Sequence, residues 1–301
     1  LQNIGDVYNK GMELTISGTP IQTKDWTWDA SLNLYGNRGT VKKLPVGTDV
    51  LYVTDVQFGD AQAASFNNGP FLGISGYHYK YTDDGKVILD QYGMPTYDKD
   101  TRVLIGNREP KIQGGFNNTI SYKNWTFNML WEFRIGGDIY NGTDYYLVGK
   151  GLSDLTADRE SLTIAGAQQD GDTYKDVTYT FNANETYNLN GAQVSGKEVI
   201  QKYYTDYYYR EGLNYITKVN SLRLRTISLN YELPKAFLAK IGIKRANESA
   251  TANNLLLFTN YRGDPESSSA GSGISGSGAT GIDYCCVPPT ASFAFGFNVT
   301  F

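Results

Sequence analysis

The chain has 301 residues, of which 40% are hydrophobic, 14% aromatic and 19% charged, and its net charge at pH 7 is −4. One His and two Cys are too few for a disulfide-rich scaffold or for the usual zinc sites. The negative charge argues against a nucleic-acid-binding protein, and no apolar run reaches the roughly 18 residues of a transmembrane helix. These counts leave a β-barrel possible, because strands that are half polar keep the average hydropathy low.

Apolar and polar residues alternate with a period of two in several segments. The alternation is cleanest at residues 26–36, 125–135 and 290–301. A period of two predicts β-strands with one apolar and one polar face. Seven strands are predicted in all, at residues 10–18, 26–36, 112–122, 125–135, 221–233, 243–262 and 290–301.

The strand predicted at residues 221–233 changes phase midway. Its odd positions are polar from Ser221 to Arg225 and apolar from Ile227 onwards. Two explanations remain open. The strand could leave a membrane partway along its length, or a β-bulge could shift the pattern by one residue.

The connections between the predicted strands alternate between short and long. The short ones cover residues 20–25, 123–124 and 234–242, and the long ones cover residues 37–110, 137–219 and 263–289. This alternation is typical of an outer-membrane β-barrel, in which periplasmic turns are short and extracellular loops are long. Since seven antiparallel strands cannot close an even-numbered barrel, we expect further strands upstream of Leu1.

Aromatic residues mark the expected membrane surface. Trp26, Trp28, Trp125 and Tyr231 stand beside the short connections, and we expect them to form the periplasmic aromatic girdle. The last predicted strand is expected to turn its apolar face to lipid and to turn Gly296 and Asn298 to the lumen. The residues on that apolar face are Phe293, Phe295, Phe297, Val299 and Phe301.

Tyrosines are concentrated in the long connection at residues 137–219. Aromatic rings stack on sugars and tyrosine hydroxyls bind polar ligands, so these residues are candidates for ligand or partner contact. The alternative, that they pack the loop against itself or hold a partner, stays open. The candidates are Tyr145, Tyr146, Tyr204, Tyr207 and Tyr208.

The remaining reactive side chains form no catalytic constellation in the sequence. His78 is interpreted as a loop-packing residue. The acidic segments at 83–84 and 98–100 could bind Ca²⁺ but lack the spaced acidic pattern of a calcium loop, and turn formation explains them more simply. Cys285 and Cys286 are interpreted as two thiols, or as one that pairs elsewhere, rather than as a strained vicinal disulfide. No cofactor is predicted.

Several short motifs occur in a characteristic order and spacing, at residues 9–14, 105–119, 221–234 and 254–266, with Phe301 after them. In this order they resemble the C-terminal part of SusC-like TonB-dependent outer-membrane transporters. The resemblance runs over nearly the whole chain. One departure is that Gly263 directly precedes Asp264, where the family usually has an extra residue between them.

The resemblance implies a plugged barrel of about 22 strands. Residues 1–301 would supply its last seven strands, while the plug and the first strands would lie upstream. It also implies the outer membrane of a Gram-negative bacterium, a SusD-like surface lipoprotein as partner, and import of oligosaccharides or oligopeptides driven by the TonB complex. No covalent change of the substrate is implied, so no enzyme activity is expected. Phe301 resembles the terminal aromatic residue that barrel-assembly machinery recognises.

Two other interpretations of the same pattern stay open. A passive porin or surface adhesin would use the same kind of strands without a plug or TonB dependence. A soluble carbohydrate-acting β-sandwich enzyme would need a pair of catalytic carboxylates, and its long apolar stripes would favour aggregation.

Overall fold

The computed structural model describes residues 5–53, 59–189, 191–268 and 280–301. It is built mainly from β-strands, with short helices in the connections. The strands are β1 (Asp6–Gln22), β2 (Trp26–Lys43), β3 (Val50–Tyr52), β4 (Gln62–Phe66), β5 (Gly73–Gly76), β6 (Ile88–Leu89), β7 (Val103–Asn107), β8 (Ile112–Tyr122), β9 (Trp125–Asn141), β10 (Ser161–Asp170), β11 (Thr173–Asn182), β12 (Thr186–Leu189), β13 (Ala192–Ser195), β14 (Ile216–Glu232), β15 (Arg245–Thr259), β16 (Ile282–Asp283) and β17 (Ser292–Thr300). The α-helices are α1 (Gly142–Gly149), α2 (Gly196–Lys202) and α3 (Lys235–Leu238), and shorter helical turns lie at Asp154–Thr156, Tyr203–Tyr207, Tyr208–Arg210, Gly212–Tyr215 and Ala239–Ile241.

Seven long strands form one antiparallel sheet, which we call the wall sheet. Their order is β1-β2-β8-β9-β14-β15-β17, so strands that follow one another along the wall pair side by side, and β1 and β17 form the two edges. All seven strand predictions are confirmed. No helix among the described residues is long and apolar enough to cross a membrane.

The long strands extend further than the sequence pattern indicated. β2 continues to Lys43, β9 continues to Asn141, and β14 already begins at Ile216. The predicted connections at 37–110 and 137–219 therefore had wrong boundaries, and the structure places them at 44–111 and 142–215. The alternation is interrupted there because β2 carries Asn37, Arg38 and Gly39, and because the register of β9 with β14 shifts at Gly136 and Gly137, which both have positive φ.

The phase change in β14 is a β-bulge. Leu224 pairs with Trp131 of β9 and Thr226 pairs with the next residue, Leu130, so β14 holds one extra residue at Arg225. The neighbouring strand β15 adds another extra residue at the same level, between Asn253 and Leu256. Because of the bulge, apolar residues before and after it lie on the same face of the wall sheet. Of the two explanations left open by the sequence, the structure supports the bulge.

One face of the wall sheet is apolar across all neighbouring strands, and we call it the apolar face. A single row of paired residues illustrates it. This row runs Ile21, Trp28, Ile120, Phe127, Leu229, Ala250 and Phe295. Large side chains on it are exposed, with 43% of Leu229 and 85% of Phe295 accessible. An exposed apolar surface of this extent needs an apolar environment.

The opposite face, the polar face, carries hydroxyl and amide side chains that bind one another across the strands. The Thr119 hydroxyl donates to the Asn128 amide oxygen at 2.8 Å, and the Asn128 amide nitrogen donates to the Ser228 hydroxyl at 3.3 Å. Such ladders satisfy polar groups between strands. The predicted alternation of apolar and polar residues is therefore preserved in three dimensions.

Four aromatic rings form a row at the end of the wall sheet beside the short connections. Trp26 pairs with Tyr122, which pairs with Trp125, which pairs with Tyr231. Ring centroids are 4.3 Å apart for Trp26 and Tyr122, and 4.4 Å apart for Trp125 and Tyr231. The sequence singled out three of these four residues and missed Tyr122. Their contact with a membrane interface stays a prediction.

Trp28 covers the one amide placed on this part of the apolar face. Asn118 lies on the same face as Trp28 but is only 5% exposed, and the Trp28 indole donates to its amide oxygen at 3.2 Å. The ring thus supplies both a cover and a hydrogen bond to a polar group in apolar surroundings.

Replacing Trp28 with Phe should destabilise the full-length protein by about 1–3 kcal/mol, because the Asn118 oxygen loses its donor. The same replacement should cost clearly less in an Asn118→Leu background, where no acceptor remains. Thermal unfolding of the four proteins in detergent measures this difference. Equal losses in both backgrounds would mean that the hydrogen bond contributes nothing.

The two longest connections pack into compact layers at the other end of the wall sheet. They form a four-stranded sheet β3-β4-β5-β7, a three-stranded sheet β11-β10-β6 and a hairpin β12-β13. Two apolar cores hold these layers together. The turn predicted at Asp84–Gly85 is present, since the Thr82 N–H donates to the Lys86 carbonyl oxygen. The Ser195 hydroxyl accepts from the Glu198 N–H and caps α2.

Candidate functional site

Two sequence motifs that are far apart in the chain meet on the polar face. Arg223 and Arg225 come from β14, and Asp264 and Glu266 come from the segment that follows β15. Arg223 NH2 lies 2.5 Å from the Asp264 carboxylate, and Arg225 NH2 contacts the Glu266 carboxylate. These contacts fix the start of the connection between β15 and β17 against the wall sheet.

Arg225 is the centre of this cluster, and the β-bulge explains its position. As the extra residue of β14, it points to the polar face together with Arg223 and Thr226, without displacing the apolar residues on either side. Its Nε donates to Glu132 on β9 at 2.6 Å, and its NH1 donates to the Asn254 amide oxygen on β15 at 3.0 Å. One guanidinium therefore links three strands and a loop.

The pair of Arg223 and Asp264 is almost completely buried. Their side chains are 4% and 7% exposed. The Asp264 carboxylate also accepts from the Glu266 N–H at 2.9 Å, and the Asp264 carbonyl oxygen accepts from the Ser267 N–H. Buried charges persist only when they are paired and hydrogen-bonded, so each partner depends on the other.

The cluster borders a recess of about 630 Å³ on the polar face. The recess is bounded by strands β2, β8, β9 and β14 and by the loop that carries Glu266. It offers cationic and anionic groups beside amide and phenol groups, which suits a polar solute. The side chains that give it this character are Asn33, Tyr35, Gln113, Glu132, Arg134, Arg225 and Glu266.

Four of the five candidate tyrosines pack inside the long connection. Tyr145, Tyr204 and Tyr208 lie against one apolar core, and Tyr204 and Tyr207 lie against the other. This arrangement favours the packing alternative for these four residues. Tyr146 differs, because it is 45% exposed with the Lys150 Nζ 6.0 Å from its ring centroid. Its contact with a ligand or partner stays a prediction.

Burial controls the acidity of the packed phenols. It raises the pKa of Tyr203 to about 12, and it raises the pKa of Tyr145 and Tyr215 further above the usual value. Desolvation disfavours the charged phenolate, so these hydroxyls stay protonated at any physiological pH. They act in packing and as neutral hydrogen-bonding groups.

His78 lies beside a junction whose central carboxylate, Glu211, is buried. Its Nδ1 lies 2.8 Å from Oε1 of Glu211, and its ring stacks on Tyr81 with centroids 4.4 Å apart. Glu211 is 3% exposed and also accepts from the Tyr79 N–H at 2.6 Å and the Leu213 N–H at 3.1 Å. The loop-packing interpretation of His78 fits this geometry.

We expect Glu211→Ala to loosen this junction, because the buried Tyr79 N–H and the partly buried Leu213 N–H lose a charged acceptor, worth about 1.5–3 kcal/mol at the buried site. Hydrogen exchange at the Tyr79 and Leu213 amides should accelerate strongly. His78→Phe is the matched control, since it removes the imidazole and leaves both amide contacts. Unchanged exchange in Glu211→Ala would show that the junction does not order this loop.

The acidic turns and the cysteines have simple local partners. The Asp98 carboxylate accepts from the Asp100 N–H at 2.9 Å, as expected for a turn. The described residues contain no group of three or more potential ligands placed to hold a metal ion, and the expected absence of a cofactor stays a prediction. Cys285 and Cys286 are both thiols, and the Cys285 N–H donates to the Thr143 hydroxyl at 2.7 Å.

Phe301 lies directly after β17 and is 78% exposed. Its carbonyl oxygen accepts from the Lys244 Nζ at 2.8 Å. Its role as a signal for barrel assembly stays a prediction.

No family model matches the chain. It is 29% identical to TonB-dependent receptor P3 of Formosa agariphila over its full length and covers 29% of that protein. It is 25% identical to TonB-dependent receptor SusC of Bacteroides thetaiotaomicron, again over its full length, and covers 27% of it.

Solved structures agree in fold. The RagAB peptide importer in its open-open state superposes on the whole chain with a TM-score of 0.64, at 23% identity and with 29% of the importer chain covered. The chain resembles SusC-like TonB-dependent receptors along its entire length. It spans less than a third of the length of these SusC-like relatives. The predicted all-β fold is confirmed, and the wall sheet corresponds to part of the sheet of such a TonB-dependent protein.

Proposed function

We propose that this chain forms part of the barrel wall of an active importer in the outer membrane of a Gram-negative bacterium. The observation that carries the proposal is the register of the wall sheet, which keeps one face apolar and the other polar across seven strands. In lipid, unpaired backbone groups cost several kcal/mol each, so the strands are expected to be closed by further strands of the whole protein. The apolar face meets lipid and the polar face lines the lumen.

The cargo is an oligomeric nutrient, either an oligosaccharide or an oligopeptide. The recess beside Arg225 combines charged groups with amides and a phenol, which can bind peptide groups as well as sugar hydroxyls. Import is driven by the TonB complex through parts of the protein outside this chain. A SusD-like surface lipoprotein docks on the long connections, where Tyr146 is the exposed candidate for contact.

The topology that this function requires can be tested on intact cells. The connection at residues 142–215 should be cut by added protease, whereas the short connection at 234–242 should stay protected until the outer membrane is opened. Cleavage at 234–242 alone in intact cells would show that the orientation is the opposite of the proposed one. Western blots with a tag placed at each end of the full-length protein identify the cut.

Transport itself is tested by uptake in a strain that lacks the full-length transporter. Wild-type complementation should restore uptake of labelled oligosaccharides or oligopeptides, and only with an intact TonB complex. The same strain without the companion lipoprotein should take up far less. Uptake that persists without TonB would contradict active import and favour a passive porin.

A further inference from the structure

A groove on the apolar face lies at the end of the wall sheet that leads into the long connections. It has a volume of about 710 Å³ and lies between β1, β2 and the start of β8. Gly36, Met12, Leu34 and Ile112 are among the residues that line it. Ile112 is 44% exposed, and Met12, on the edge strand β1, is 74% exposed.

Two cations stand directly opposite each other at the upper end of this groove. Lys10 on β1 pairs with Arg38 on β2, and both are exposed. Like charges placed opposite each other across two strands repel and destabilise the pair. Neither of them forms an ion pair with a carboxylate of the described residues.

A third cation extends the patch on the same strands. The ammonium groups of Lys10 and Lys42 lie 5.3 Å and 5.9 Å from the centre of the Tyr8 ring. The nearby Glu109 carboxylate accepts from the Gly39 N–H with both oxygens, at 2.8 Å and 2.9 Å, and among the described residues it forms no ion pair with Lys10, Arg38 or Lys42. In the part of the chain that the structure describes, no carboxylate pairs with these three cations, and an anion from outside the chain would complete the patch.

The height of the patch matches the headgroup level of a bilayer. Arg38 lies twelve residues after Trp26 on the same strand. At about 3.3 Å per residue and a tilt of about 40°, this separates them by roughly 30 Å along the membrane normal. The apolar band of such barrels is about 25 Å tall, so Arg38 and Lys10 lie just above it when Trp26 lies at the periplasmic interface.

We propose that this groove binds a phosphorylated glycolipid of the outer leaflet. The phosphate lies between Lys10 and Arg38 and relieves their repulsion, and an acyl chain runs down the groove over Gly36 between Met12, Leu34 and Ile112. Charge complementarity and continuity with the apolar face favour this occupant over a protein partner. The inference rests on the proposed membrane location, and it adds a lipid site on the outside of the wall, separate from the path of the cargo.

The test compares purified full-length transporter with the double variant Lys10→Gln and Arg38→Gln. Each protein is placed in neutral phosphatidylcholine nanodiscs and titrated with lipid A, and thermal unfolding is recorded. The wild type should be stabilised by lipid A. The double variant should need far more lipid for the same shift, since affinity falls roughly fivefold for each cation lost.

Controls separate this site from general attraction to anionic lipid. Lys235→Gln with Lys240→Gln removes two exposed cations near the opposite end and should leave the lipid A response unchanged. Lys10→Arg with Arg38→Lys should retain the response. Dephosphorylated lipid A should stabilise neither protein, and phosphatidylglycerol should act more weakly than lipid A.

Equal lipid A responses in the wild type and the double variant would overturn the inference, as would an equal response to phosphatidylglycerol. Loss of heat-modifiable migration identifies a variant that fails to assemble. In that case the test rests on the lipid A response of the variant Lys10→Arg with Arg38→Lys. A transporter that imports its cargo normally but shows no lipid A response would refute the lipid site alone. Loss of membrane location would instead refute the proposed function.

Discussion

Arginine at position 295 should sharply reduce the amount of transporter in the outer membrane, whereas arginine at position 298 should be tolerated. Phe295 lies on the apolar face opposite Ala250, and Asn298 lies on the polar face opposite Asn247. A lipid-facing arginine costs up to about 2–4 kcal/mol at the bilayer midplane and less towards the interfaces. On the polar face the same side chain meets water and other polar groups. The two positions are on one strand, so each variant is the matched control of the other.

Outer-membrane levels of the two variants, measured by immunoblot of purified membranes, test this expectation. Heat-modifiable migration on gels reports whether the barrel has closed. Equal levels for Phe295→Arg and Asn298→Arg would mean that β17 does not lie in a membrane wall.

Removing the guanidinium of Arg223 should destabilise the full-length protein by about 3–5 kcal/mol. Arg223→Met leaves the Asp264 carboxylate buried without its cation, and an uncompensated buried charge is strongly unfavourable. The double variant Arg223→Met with Asp264→Asn should recover most of the loss, because the remaining amide carries no charge. Chemical unfolding in detergent measures all three proteins.

The exposed pair of Arg245 and Glu232 gives the matched control. Its two charges are 3.0 Å apart, but the side chains are 67% and 42% exposed. Arg245→Met should therefore cost at most about 1 kcal/mol. Similar losses for Arg223→Met and Arg245→Met would show that burial of the Arg223 pair does not govern its contribution.

The strands of the wall sheet could be predicted from sequence because apolar and polar residues alternate along each of them. This alternation gives every strand one apolar face and one polar face. The strand ends could not, since Gly136 and Gly137 shift the register between β9 and β14, and a run of polar and small residues interrupts the alternation in β2. The phase change at Arg225 was visible in the sequence. Its cause was not, because a bulge is a property of the pairing between two strands rather than of one strand alone.

The candidate site was harder to predict than the fold. The arginines of β14 and the acidic pair that binds them are 41 residues apart in the chain, and only the closing of the β14–β15 hairpin brings them together. The role of the tyrosines of the long connection was left open by the sequence for a related reason. Their composition suggests binding, but packing against two cores depends on contacts between distant segments such as α1 and the turn at Tyr203–Tyr207.

A nitroxide scan of β17 tests most directly that the wall sheet has one lipid face and one lumenal face. After Cys285→Ser and Cys286→Ser, a single spin label is placed in turn at residues 292–299 of the full-length transporter in vesicles. Collisions with oxygen, which concentrates in lipid, should peak at positions 293, 295, 297 and 299, and collisions with a water-soluble nickel complex should be strongest at the even positions between them. High accessibility to the nickel complex at both odd and even positions would contradict the account.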